Sequence, residues 1–414
     1  MSIPPQAPPR ILAVADSDSY FKFACASLDA LGPGWDRRVV LARTPLLPTT
    51  EQRAGAVAGT FLDGAGPTTV LPLHRLGPLL DSADVVLGAA TGPVVQELFH
   101  RVASRRRGCR RNTALVSALP GVAYPATEKA MDFRALGDLF LAHGLAEARD
   151  FSGVLSRLGS DQPVLATRLP FLVSRGEPVR DATPVDSVVF AAQAKFPFHR
   201  TDRERILKAL ARTHRANPGV EVIVKLRARD GEPQTHREAH PYDRLWAGLT
   251  ADGAVAGDEV TFATGAMAAV LRPGTLVVTV SSTAVLEAVD RGLPAVVLTD
   301  FGLNRALYNL VFDGSGLTGS LQDVEELKVL RPEPTWLAEH YFHPPDAVAS
   351  GALEQLARRA RAGALTTSPE ALARTGRMAL HHRLRTRLPR PLLRLVRGLP
   401  HRRFPARADP PNGR

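Results

Sequence analysis

Ser281 and Ser282 end an apolar run from Thr275 to Val280, and a helical pattern from Thr283 to Arg291 begins at once. A strand that stops in small hydroxyl residues and turns straight into a helix presents two alcohols and several unpaired backbone N–H groups at one point. Such a point suits a phosphate, because free amides, the helix dipole and short side chains all favour a closely held anion. Capping of the helix by Ser282 is the plain alternative. Glu287 follows one turn later, and Gly292, Leu293 and Pro294 lead into the next apolar strand. A second group stands where the strand Glu221 to Lys225 ends: Lys225, then Arg227 and Arg229, then a polar loop carrying Thr235, His236, Glu238 and His240. Only six of the 52 basic residues are Lys, so Lys225 reads as a phosphate partner more readily than as a solvated strand-end lysine. His236 and His240 lack metal-ligand companions at recognisable spacing and read either as substrate contacts or as loop surface.

Gln193, Lys195 and Phe196 follow the strand Ser187 to Ala191, a place from which side chains line a cleft or simply make a loop. Asp300, Asn304 and Arg305 follow the strand Ala295 to Leu298 and could reach sugar hydroxyls, although Asn304 could equally open a helix. Near the N-terminus, Asp16 and Asp18 follow the apolar run Ile11 to Ala15. A carboxylate there could take the proton of an attacking hydroxyl, or Asp18 could cap the helical pattern that starts at Tyr20. His143, ending the run LFLAH, is the rival base.

The elements that must position these residues alternate. Apolar runs at 11–15, 38–42, 69–71, 84–89, 114–118 and 139–143 read as strands, separated by helical patterns near 20–31, 50–58, 76–81 and 93–104, with helix again from 146. Residues 171–186, rich in Pro and charge without a period, read as a linker. A second series follows, with strands at 187–191, 221–225, 260–262, 275–280 and 295–298 and helices at 203–216, 266–271 and 283–291. Apolar strands separated by helices imply a parallel sheet covered on both faces. The expectation is two tandem Rossmann-like parallel α/β domains, 1–170 and 187–345, with chemistry in the cleft between the carboxyl edges of their sheets. A helix within 346–370 could cap the second domain or cross back to the first, and 371–414 reads as a basic amphipathic or disordered tail.

The segment from Thr275 to Leu298, strand, Ser-Ser, helix, Gly-x-Pro, strand, resembles the donor domain of GT-B glycosyltransferases, in particular the bacterial sialyltransferase, polysialyltransferase and capsule-polysaccharide transferase group. The resemblance implies a nucleotide-sugar donor bound by the C-terminal domain, with Ser281, Ser282 and Thr283 on its phosphate and Lys225, Arg227, Gln193, Lys195, Glu287, His240 and Asn304 around it. It implies a cell-envelope glycan or lipid-linked acceptor in the N-terminal domain, an acidic base there, an inverting outcome, and no requirement for a metal or other cofactor. A sugar-nucleotide epimerase on the same two domains is one alternative. A catalytically inactive scaffold binding a glycan or partner protein is another.

Bulk properties narrow the field. The chain has 414 residues, 44% hydrophobic and 22% charged, as an ordinary folded protein of two domains would. Eleven arginines and no carboxylate lie between Arg374 and Arg407, which accounts for the whole formal charge of +11. The body is therefore balanced, without a stripe that would track nucleic acid, while the tail suits an anionic membrane surface. Two cysteines, no apolar leader and no run of 18 apolar residues imply a cytoplasmic protein, at most peripheral to the inner face of the plasma membrane. No strand-to-helix junction carries a P-loop or a dinucleotide fingerprint, and no carboxylate-rich metal motif is present.

Overall fold

The computed structural model describes residues 7–106, 112–172, 184–227, 238–344 and 347–376. Strands β1 (Arg10–Ala15), β2 (Asp36–Ala42), β3 (Val70–Leu71), β4 (Val85–Gly88), β5 (Ala114–Ala118), β6 (Leu139–Ala142) and β7 (Val164–Ala166) form one sheet in the order β3-β2-β1-β4-β5-β6-β7. A second sheet follows from β8 (Ser187–Ala191), β9 (Glu221–Lys225), β10 (Thr261–Ala263), β11 (Thr275–Thr279), β12 (Ala295–Leu298) and β13 (Thr318–Gly319), in the order β10-β9-β8-β11-β12-β13. Every pairing is parallel.

Helices on both faces explain why β4, β5, β8, β11 and β12 are buried along their whole length and carry no polar alternation. In the first domain Phe21, Phe23 and Leu28 cover one face of the sheet, and Leu98, Phe99 and Val102 cover the other. In the second, Ile206, Leu210 and Trp246 face one side, and Val285, Leu286 and Phe312 the other.

Several features depart from the expectation, among them the short helices Glu128–Asp132, Leu321–Glu325 and Pro334–Glu339. The pattern at 266–271 yields only the 3₁₀ turn Met267–Ala269, hemmed between Gly265 and the Pro273-Gly274 pair. The helix Tyr242–Ala251 escapes the sequence reading, although Tyr242, Leu245, Trp246 and Leu249 are buried at helical spacing. Strands β7 and β13, three and two residues long, are too short to show a period.

The helix Ala347–Arg361 resolves the open alternative by returning to the first domain. Leu353, Leu356, Ala357 and Ala360 join the core that lies against β1, β4 and β5. At its end Arg361 donates from Nη2 to buried Asp84 at 2.8 Å and binds the Ala7 and Pro8 carbonyls. Asn112 donates its amide to the Ala360 carbonyl and its side chain to that of Leu365, both at 2.8 Å. The expected linker falls largely on residues 173–183, and the basic tail on 377–414, outside the described residues. No described helix is long and apolar enough to cross a membrane.

Leu356→Ala should destabilise the first domain by about 2–5 kcal/mol through the cavity left under the sheet. Urea unfolding followed by the buried Trp35 reads this directly, and an unmoved midpoint would contradict the docking of the returning helix.

Candidate active site

In each sheet the strand order reverses beside the first strand, so the loops leaving β1 and β4 part to opposite sides, as do those leaving β8 and β11. Crevices at such points are where open parallel sheets hold ligands. Here each crevice is crossed by a side chain. Asp16, following β1, accepts from the Thr91 amide at 3.0 Å and from the Thr91 hydroxyl. Gln193, following β8, accepts from the Ser281 amide at 2.9 Å and donates to the Ser281 hydroxyl at 3.1 Å.

Two of the three candidate bases sit in enclosed, hydrogen-bonded positions. Asp16 is wholly buried, with one carboxylate oxygen on the Thr91 amide and the other on its hydroxyl. Burial raises its pKa and the Thr91 bonds oppose the rise, which makes it a strut between β1 and the helix Gly92–Ala103. His143 is 1% exposed. Its Nε2 sits 2.7 Å from the Leu119 carbonyl, its Nδ1 3.4 Å from the Thr167 hydroxyl, and Phe23 packs on the ring. Burial pushes its pKa down to about 4, against the raising effect of those hydrogen bonds. At neutral pH it is an uncharged, enclosed ring.

Asp18 is different. It opens the helix Asp18–Asp29, but Ser17 holds the cap position and no side chain caps the helix. The carboxylate is half-buried. Burial raises its pKa, with Arg227 of the second domain and then Lys22 pulling it back.

Across the cleft, Lys225 ends β9 at 6% exposure. Its ammonium donates to the Gly265 carbonyl at 2.6 Å and to that of Leu226 at 3.2 Å. Burial lowers its pKa to about 8, Glu287 supports its charge, and Lys22 and Arg227 oppose it. Lys225 is thus a positive charge beneath the site, not a side chain reaching into it. Arg227, two residues on, is exposed. Ser282 accepts from the Ala284 amide at 3.2 Å while its own amide donates to Thr279 Oγ1 at 3.2 Å, a local turn ahead of the helix Ala284–Asp290, whose cap position is Thr283 and has no side-chain cap. Thr283 faces the first domain so closely that a Cβ on Gly121 would lie 2.7 Å from its methyl group.

Other expected contacts are accounted for structurally. Asn304 caps the 3₁₀ turn Arg305–Leu307 by accepting from the Leu307 amide at 3.1 Å, and Asp300 accepts from Arg205 and the Leu321 amide. His240 contributes its carbonyl to Arg203 at 3.0 Å, while Lys195 is exposed on the rim. Thr235, His236 and Arg229 lie outside the described residues.

Three residues escape the sequence reading. Arg203, 2% exposed, binds the carbonyls of Gln193, Ala194, Pro197 and His240 and pairs with Glu238, with the Tyr242 ring beneath it. Its signal was present: it shares a helical face with Ile206, Leu207 and Leu210, where an arginine needs carbonyls. Glu147, also 1% exposed, accepts from the Ala123 and His143 amides at 3.1 Å and from Tyr341 at 2.7 Å, tying the returning chain to the first domain. Lys22 pairs with Glu287 at 3.7 Å.

Solved structures share the architecture. Staphylococcus aureus MnaA, in its UDP co-structure, is 12% identical with a TM-score of 0.54, over 87% of this chain and 99% of that one. UDP-GlcNAc 2-epimerase from Methanocaldococcus jannaschii is 9% identical with a TM-score of 0.51, over 84% and 99%. The fold is GT-B. No curated protein matches the sequence. The profile of the family described as "Putative glycosyltransferase (DUF6716)" spans residues 11–359, which takes in both sheets and most of the returning helix, and the chain belongs to that family.

Proposed function

We propose that the chain moves a sugar from a nucleotide-sugar donor, held by the second domain, to a hydroxyl presented by the first. The observation that carries this reading is the half-buried Asp18 at the start of the helix after β1, a carboxylate whose pKa burial raises while Arg227 of the second domain and Lys22 act against the rise. Asp18 takes the acceptor proton as the acceptor oxygen bonds to the anomeric carbon, while the anomeric bond to the donor phosphate breaks and its electron pair leaves with the nucleotide. Attack from the face opposite the leaving group inverts the centre. Arg227 and the hydroxyls of Ser281, Ser282 and Thr283 meet the diphosphate, and Lys225 stabilises it from below, so side chains supply the charge that a metal would otherwise bring.

The acceptor is of the class implied by the Ser281-Ser282 segment and its resemblance to capsule and sialic acid transferases, a cell-envelope glycan or lipid-linked sugar. The epimerase alternative separates cleanly, because it interconverts sugar nucleotides with no acceptor present.

Thermal melting with CMP, CDP, UDP, GDP and TDP should show stabilisation by one diphosphate, about 2.7 kcal/mol at a hundredfold excess over Kd. Ser281→Ala with Ser282→Ala should remove it; full stabilisation in the folded double variant would refute the donor site. Asp18→Asn should lower turnover by about 10²- to 10⁴-fold with nucleotide affinity retained, and equal turnover would dismiss the base. A phosphate favours the charged form of Lys225, so nucleotide affinity should fall as pH rises through about 8. Lys225→Met should flatten that profile, and a profile identical to wild type would exclude Lys225.

A further inference from the structure

One cation at the cleft belongs to the first domain and has no part in the reading above. Lys22 lies four residues past Asp18 on the helix Asp18–Asp29, so the two share a face of that helix. From there it reaches the second domain, with its ammonium 3.7 Å from Glu287 Oε1 and 5.5 Å from the centre of the Phe171 ring. The Lys22 side chain is 47% exposed and that of Glu287 14%. An ion pair this open is weak and readily exchanged.

The neighbours show what exchange would accomplish. Glu287 also supports the charge on Lys225, so it keeps a cation when Lys22 leaves. Lys225 cannot move, being pinned to the carbonyls of Gly265 and Leu226. Arg227 is committed by position to the second domain and acts on Asp18. Asp18, Glu287, Lys22, Lys225 and Arg227 therefore act on one another electrostatically across both domains, and Lys22, ion-paired to Glu287, has both a first-domain base and a side chain loose enough to relocate. A diphosphate beside Ser281, Ser282 and Thr283 arrives within a turn of Glu287 and competes with it for that ammonium.

We propose that Lys22 is the first domain's contact with the donor diphosphate, exchanging Glu287 for a phosphate oxygen. The proposal rests on the donor reading above. It assigns Lys22 to binding and leaves proton transfer with Asp18.

The test uses the full chain with CDP, UDP, GDP and TDP, and the nucleoside of whichever diphosphate binds best. Lys22→Ala should raise the Kd of that diphosphate about tenfold and leave the nucleoside's affinity unchanged, while Lys22→Arg should restore it to within about twofold. Acetylation of wild-type lysines, mapped by mass spectrometry, should slow at Lys22 when the diphosphate is present and stay constant at exposed Lys129 and Lys208. Unchanged diphosphate affinity in Lys22→Ala, or unchanged labelling of Lys22, overturns the exchange while the donor reading stands. Failure of every diphosphate to bind wild type removes both.

Discussion

A parallel sheet whose strand order reverses beside its first strand opens a gap at its carboxyl edge, and the rest of this molecule follows from how its two gaps are bridged. In the first sheet the bridge is a carboxylate, Asp16, on the amide and hydroxyl of Thr91. In the second it is an amide side chain, Gln193, on the amide and hydroxyl of Ser281. Each bridge fixes the start of the helix beyond the fourth strand of its sheet relative to the loop after the first. Asp18 and Ser282 stand one or two residues from a bridged position, so their placement is inherited from buried hydrogen bonds and does not depend on a flexible loop. The same requirement explains why Asp16 is unsuited to chemistry: a polar group that satisfies a buried partner leaves that partner stranded if it turns elsewhere.

Buried charge repeats this logic away from the sheet edges. Arg203 spends its guanidinium on four carbonyls and Glu238, and so gathers the loop after β8 and the chain before the helix Tyr242–Ala251 around one point. Arg134, 1% exposed, does likewise under the first cleft wall, with the Ala130 and Ala90 carbonyls and the Tyr20 hydroxyl. Glu147 is their counterpart in negative charge, with two amides and a phenol. A charge taken from water is tolerated only with such partners, and the partners here are the backbones of the segments that face the cleft.

What could be read from the sequence divides along physical lines. Strands such as β5, β8, β9 and β12 were legible to the residue because they are apolar runs ended by turns, and the helices over Gly92–Ala103 and Ala347–Arg361 because their apolar faces repeat. The strand-to-helix junction at Ser281 was legible because an apolar run ends there in small hydroxyls, and the structure puts it at the reversal of strand order, bridged to Gln193. The roles of Asp16 and His143 were not. A carboxylate bound to Thr91 seventy-five residues away and a histidine sealed under Phe23 differ from cleft-facing ones only through tertiary contacts. Lys22 was invisible for the same reason, since its partner belongs to the other domain.

The returning helix has a consequence for the order in which the protein can be made. Leu353, Leu356 and Ala360 complete the core of a sheet whose last strand, β7, ends at Ala166. During synthesis the first domain therefore leaves the ribosome with one flank of β4 and β5 uncovered, and it stays uncovered while the whole second domain emerges. The second domain has all its strands before that happens and can finish first. For a nascent chain this reverses the N-to-C sequence of folding, and it leaves an apolar groove on the early half open to chaperones until the final helix arrives.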